Sequence, residues 1–194
     1  MGCYLAEELI DVLRKLKKIL DRENVNWVLA GPLAAKTLGL SLSTKAIDIL
    51  TDEEGVYIMS RLFQNSFQTI VPADFRKVGN ILAHFGVFNA DGVPVNIIGN
   101  PVINFHGYLI KIDVKDVIAI ATSVKINDET YLVPPLEWLL VYFKLITQDD
   151  NIMKKLAGFI QETDFNKELL ERILQNFPSV LKDELIQYLE PSLK

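Results

Sequence analysis

The chain has 194 residues, 49% of them hydrophobic, enough to bury a sizeable core and too many for a disordered chain. A formal charge of −5, with acids and bases mixed along the length, argues against a general nucleic-acid binder, which carries a broad basic face. Cys3 is the single cysteine, so no internal disulfide can form. With His84 and His106 as the two histidines there is no zinc spacing, and a cytoplasmic setting is expected. No apolar run reaches the roughly 18–20 residues that span a bilayer, so no membrane partner is expected.

Residues 4–21 place Leu5, Leu9, Val12, Leu13, Leu16 and Leu20 at helical spacing among charged residues, which predicts an amphipathic helix. The short β-branched and aromatic run Val25–Ala30 ends at Gly31-Pro32 and reads as a buried strand. Leu33–Leu38 predicts a short helix stopped by Gly39, and Ala46–Leu50 predicts a second strand. Val56, Met59, Leu62 and Phe63 return to helical spacing over 53–66. Ile81–Phe88 and Val93–Ile98 then flank Asn89-Ala90-Asp91-Gly92, whose Asp-Gly predicts an antiparallel hairpin.

From Asp113 the pattern turns helical. A short helix to Ala121 precedes a small hairpin around Asn127-Asp128. Pro134-Pro135 then opens a helix through Leu136, Leu139, Leu140, Phe143 and Leu145, since proline is tolerated in a first turn. Apolar residues at helical intervals continue over 150–190, divided by Pro178. The reading is an α/β (α+β) domain over 1–112, with a mixed sheet flanked by helices, and a mainly helical subdomain over 113–194.

Two segments carry candidate chemistry. The first runs from Val25 to Ala35 through the Gly31-Pro32 turn, and the second is Ser43-Thr44-Lys45-Ala46-Ile47-Asp48-Ile49-Leu50. Strand, glycine turn, short helix and then a strand bearing a carboxylate is an order that resembles the nucleotidyltransferase superfamily, above all its minimal and toxin-type members. In that family the turn is Gly-Gly or Gly-Ser, and the second strand begins Thr-Lys/Arg-Asp-hydrophobic-Asp. A third Asp comes from a neighbouring strand. Residues two apart on a strand share a face, so such carboxylates converge and hold two magnesium ions about 3.5–4 Å apart.

The resemblance implies that Asp48 is the catalytic and metal-binding carboxylate, with Asn96, in Val95-Asn96-Ile97-Ile98, at the third metal position. Ala46 stands at the first Asp position. Gly31, Pro32, Thr44 and Lys45 fall at nucleotide-binding positions, and Lys144, on the helix after Pro134-Pro135, approaches the cleft in relatives. Pro32 brings no N–H to a phosphate. One carboxylate of three remains, so magnesium is expected to bind weakly or not at all.

The implied function is a catalytically degenerate nucleotide-binding or regulatory module whose partner is a nucleoside triphosphate. Two alternatives stand beside it: an active metal-dependent nucleotidyltransferase, and an interaction scaffold with a homo-oligomeric contact. Other residues have plainer readings. Asp52, Glu53 and Glu54 suit a helix N-terminus, His84 an exposed or hydrogen-bonded strand position, and Trp138, Tyr142 and Phe143 the core. Arg76 and Lys77 are either a solvated charge pair or within reach of a triphosphate.

Overall fold

The computed structural model describes residues 5–146, 149–163 and 165–189; Cys3 lies outside them. Helix α1 (Glu7–Leu20) buries Leu9, Val12, Leu13, Leu16 and Leu20 along one face, the stripe expected from the spacing. Strand β1 (Trp27–Ala30), helix α2 (Gly31–Thr37), strand β2 (Ile47–Thr51) and helix α3 (Glu53–Gln64) follow. Asp52 caps α3 by accepting the Gly55 N–H at 2.7 Å, and Glu53 and Glu54 fill its first turn. Negative charge there meets the positive end of the helix dipole, so these three acids serve the helix.

An 11-residue strand, β3 (Gln68–Val78), has no counterpart in the sequence reading. It is an edge strand of the sheet, interrupted by Pro72 and by two shifts of register against β4 (Ile81–Ala90), which is why its apolar residues do not alternate cleanly. Arg76 and Lys77 therefore sit on a strand. Strands β4 and β5 (Val93–Phe105) make the expected hairpin. Asp91 and Gly92 take φ of 53° and 90°, the two-residue turn whose twist suits antiparallel strands. A second unexpected strand, β6 (Tyr108–Lys111), folds back on β5 after a tight turn at His106-Gly107.

The sheet order is β1-β2-β5-β4-β3, with β6 also paired to β5. Only β2 and β5 run parallel, so the sheet is mixed, as expected. Helix α4 (Val114–Ile120) leads into a separate hairpin of β7 (Thr122–Ile126) and β8 (Glu129–Val133). Helices α5 (Leu136–Ile146), α6 (Asp150–Glu162), α7 (Lys167–Leu174) and α8 (Ser179–Leu189) complete the described chain. The 150–190 stretch is thus cut before α7 as well as at Pro178, because Asn166 caps α7 by accepting the Leu169 N–H at 2.9 Å. No helix of the described residues is long and apolar enough to cross a membrane.

One hydrophobic core joins Leu13, Leu16, Ile49 and Ile97 to Leu139, Leu156, Leu181 and Leu185. At its centre runs α5, buried on nearly every side and packed against α2, β5, α6, α7 and α8. Trp138 and Tyr142 stack within it at 4.8 Å between ring centroids, so these aromatics are core, as read from the sequence. Glu137 is only 5% exposed, and its Oε1 accepts the Asn166 N–H at 2.6 Å, fastening the start of α7 to α5. Glu137→Ala takes the charged acceptor from that part-buried N–H, at a cost of about 1–3 kcal/mol. Thermal unfolding should show a Tm lower by roughly 3–10 °C. Glu137→Gln, which keeps an acceptor, should recover most of it, and an alanine variant melting with the wild type would contradict the assignment.

Candidate functional site

The site is built where β2 lies between β1 and β5. Antiparallel pairing sets Asp48 opposite Ala30, and parallel pairing sets it opposite Asn96. Register partners point to the same face, so the two side chains meet: Asn96 Nδ2 donates to Asp48 Oδ1 at 2.7 Å. An ionised carboxylate can only accept, which fixes the amide with its nitrogen toward Asp48.

The second carboxylate oxygen lies against Gly31. That residue opens α2 with φ of +62°, and a Cβ there would overlap Asp48 Oδ2. Glycine is needed twice over, for the left-handed backbone and for the close approach. Pro32 follows in the first turn of α2 and brings no N–H. Thr44 Oγ1 donates to the Ala46 carbonyl at 2.9 Å and shapes the turn into β2, Lys45 is exposed, and Ala46 precedes β2 by one residue.

The structure therefore brings together Gly31, Asp48 and Asn96. Lys144 is engaged by another carboxylate: its ammonium pairs with Glu184 Oε2 at 2.7 Å and lies 5.2 Å over the Tyr188 ring. Tyr142, read from the sequence as core alone, is the α5 residue whose titration responds to Asp48. Burial first and the carboxylate's charge second push its phenol up. A tyrosine two places before Lys144 gives no sign of that proximity in the sequence. His84 behaves as a strand histidine, its Nδ1 3.0 Å from the Tyr57 hydroxyl.

The electrostatics of Asp48 follow from this packing. Burial pushes its carboxyl above the ordinary value of 3.8, and the Asn96 hydrogen bond opposes but does not cancel that shift. No cation pairs with it among the described residues. Nor do the described residues contain a group of three His, Cys, Asp or Glu side chains able to hold a metal. A magnesium pair needs several charged oxygens, whereas this site offers one carboxylate that already receives an amide donor. The donor set does not fit a two-metal clamp.

Two outcomes follow. A carboxyl raised in the fold costs no stability below its unfolded value; the penalty grows as the pH climbs through the folded value and is complete above it. Asp48→Asn should therefore raise the Tm at neutral pH, with the difference from wild type shrinking as the solution is acidified toward pH 3.8. A difference independent of pH would contradict this. Gly31→Ala should lower the Tm, by about 1–3 kcal/mol of stability, as expected for a strained left-handed alanine; an unchanged melt would show that the turn has another conformation.

Comparison with known proteins places this geometry. A solved Thermotoga maritima protein, assigned as a nucleotidyltransferase, superposes with a TM-score of 0.66 at 28% identity, over 82% of this chain and 97% of that one. The crystal structure of the antibiotic-resistance factor ANT(2'')-Ia with adenylyl-2''-tobramycin gives a TM-score of 0.51 at 8% identity, over 95% of this chain and 96% of that one. Its solution structure gives 0.52 at 9% identity, over 96% and 92%. At those identities the likeness to ANT(2'')-Ia speaks for the fold alone. No curated protein matches the chain in sequence. Residues 12–121 match the family described as aminoglycoside-2''-adenylyltransferase, a span that includes Gly31, Asp48 and Asn96. The chain belongs to the aminoglycoside-2''-adenylyltransferase family, on a nucleotidyltransferase fold.

Proposed function

We propose that this protein is a catalytically degenerate member of its family, a nucleotide-binding or regulatory module and not a transferase. The observation that supports this is the 2.7 Å hydrogen bond from Asn96 Nδ2 to Asp48 Oδ1. Two facing carboxylates repel unless a cation lies between them, and that repulsion is what recruits metal. Here a neutral amide satisfies the carboxylate directly, so the drive to bind metal is gone. Ala46 leaves the remaining position without an oxygen. Without two-metal stabilisation of the charge that develops at the transferring phosphoryl group, a loss of about 4 kcal/mol or more is expected, roughly a thousandfold in rate.

What remains is a scaffold suited to holding a nucleotide: the Gly31 turn, and Thr44 and Lys45 at the mouth of β2. Asp48 in this reading is a hydrogen-bond acceptor for the ligand. Because the chain shares its family and fold with adenylyltransferases, a nucleoside triphosphate is the first ligand to test, and aminoglycosides such as tobramycin belong among the acceptors.

Incubation with labelled nucleoside triphosphates, magnesium or manganese and these acceptors should give no transferred label. Transfer that disappears in Asp48→Ala would overturn the proposal in favour of an active enzyme. Calorimetry and thermal shift with the same nucleotides should show binding, since a ligand at about a hundred times its Kd adds ~2.7 kcal/mol of stability. No heat and no stabilisation would leave only the scaffold reading. A double change, Ala46→Asp with Asn96→Asp, should lower the Tm in chelator by like-charge repulsion and regain it in millimolar magnesium. No response to magnesium would mean that these positions do not form the metal cleft.

A further inference from the structure

Lys144 and His106 come from elements distant in the chain, α5 and the β5–β6 turn, yet both address one carboxylate. Lys144 Nζ is 2.7 Å from Glu184 Oε2, and His106 Nε2 is 2.8 Å from Glu184 Oε1. Each oxygen of the carboxylate thus has its own nitrogen. The trio opens on a cavity of about 400 Å³, lined also by Asn80, Asn104 and Tyr188, between the end of the sheet and the helical half. Tyr188 presents its ring to Lys144 and its hydroxyl to Asp150, and Asn80 Nδ2 donates to the Leu145 carbonyl at 2.9 Å.

Two nitrogens set one on each oxygen of an anion is how proteins grip a carboxylate or a phosphate. The anion held here is the chain's own. Glu184 lies on α8, which is anchored in the core by Leu181, Leu185 and Leu189 on another face, so its side chain can leave without undocking the helix. Its side chain is 27% exposed, so rotation can return it to water. Lys144 first, with His106 adding to it, holds the Glu184 carboxyl below the usual range, so the occupant is charged at neutral pH.

We infer that Lys144 and His106 form an anion seat occupied from within by Glu184, and that a phosphate group entering the adjoining cavity takes the seat by displacing it. This does not rest on the nucleotide reading of the Asp48 site: the ligand chemistry is the phosphate, whether free or borne by a nucleotide. Glu184 and Asp150 set a threshold, because both repel an incoming phosphate.

The test is calorimetry of the full chain with inorganic pyrophosphate and, separately, with ATP, for wild type, Glu184→Gln and Glu184→Gln/Lys144→Met. Glu184→Gln should bind both ligands at least about tenfold more tightly than wild type, as expected when a competing charge is removed. Adding Lys144→Met should abolish the gain. No gain in Glu184→Gln, a gain that survives Lys144→Met, or a gain with ATP alone would each overturn the inference. Should the variants not fold, the wild type suffices. With only two histidines in the chain, pyrophosphate should move the imidazole resonances of His106 and spare those of His84, and a stationary His106 would refute the seat.

Discussion

Parallel pairing of β2 with β5 forces residue 48 and residue 96 to share one face, whatever their chemistry. Filled by two carboxylates, that juxtaposition is unstable without a cation; filled by a carboxylate and an amide, it closes on itself at 2.7 Å. The rest of the site follows from that closure. Asp48 turns its first oxygen to Asn96 and presses its second against Gly31, which must be glycine to leave room. The carboxyl is left half-buried, uncompensated by any cation among the described residues, and raised in pKa. A frame that resembles a metal-dependent transferase thereby becomes one whose polar groups are matched to each other.

The helical half supports this arrangement without completing it. Helix α5 packs against β5 and brings Tyr142 into the electrostatic reach of Asp48, while its next polar residue, Lys144, turns to Glu184 and the cavity it lines. Glu137 at the other end of α5 holds α7 through a hydrogen bond to the Asn166 backbone. One helix therefore orders the core, borders the Asp48 site and supplies a cation to a second polar cavity. This explains why it is apolar on almost every side except at those positions.

Much of this was legible in the sequence because it rests on local rules. Gly31-Pro32 marks the turn, Asp-Gly at 91–92 fixes the hairpin, and the alternation around Asp48 and Asn96 identifies two strands with polar residues on one face. Two strands escaped for local reasons too: β3 carries Pro72, Asp74, Arg76 and Lys77 in place of a clean alternation, and β6 is four residues long. The parallel register of β2 and β5 is a non-local fact that no periodicity encodes; the family resemblance supplied only that Asp48 and Asn96 converge from neighbouring strands. No resemblance or spacing linked Lys144 to Glu184, 40 positions later, or Glu137 to the backbone of Asn166; those contacts depend on how the last helices pack.

The central claim is that the Asp48–Asn96 pair is satisfied without metal. Nuclear magnetic resonance of the Asn96 side-chain amide and the Asp48 carboxyl during a magnesium titration addresses it most directly. Both signals should stay in place up to several millimolar magnesium, with the amide protons protected as hydrogen-bonded donors. A saturable shift of Asp48 accompanied by release of the Asn96 amide would mean that the ion displaces the amide, and the account of this site would fail.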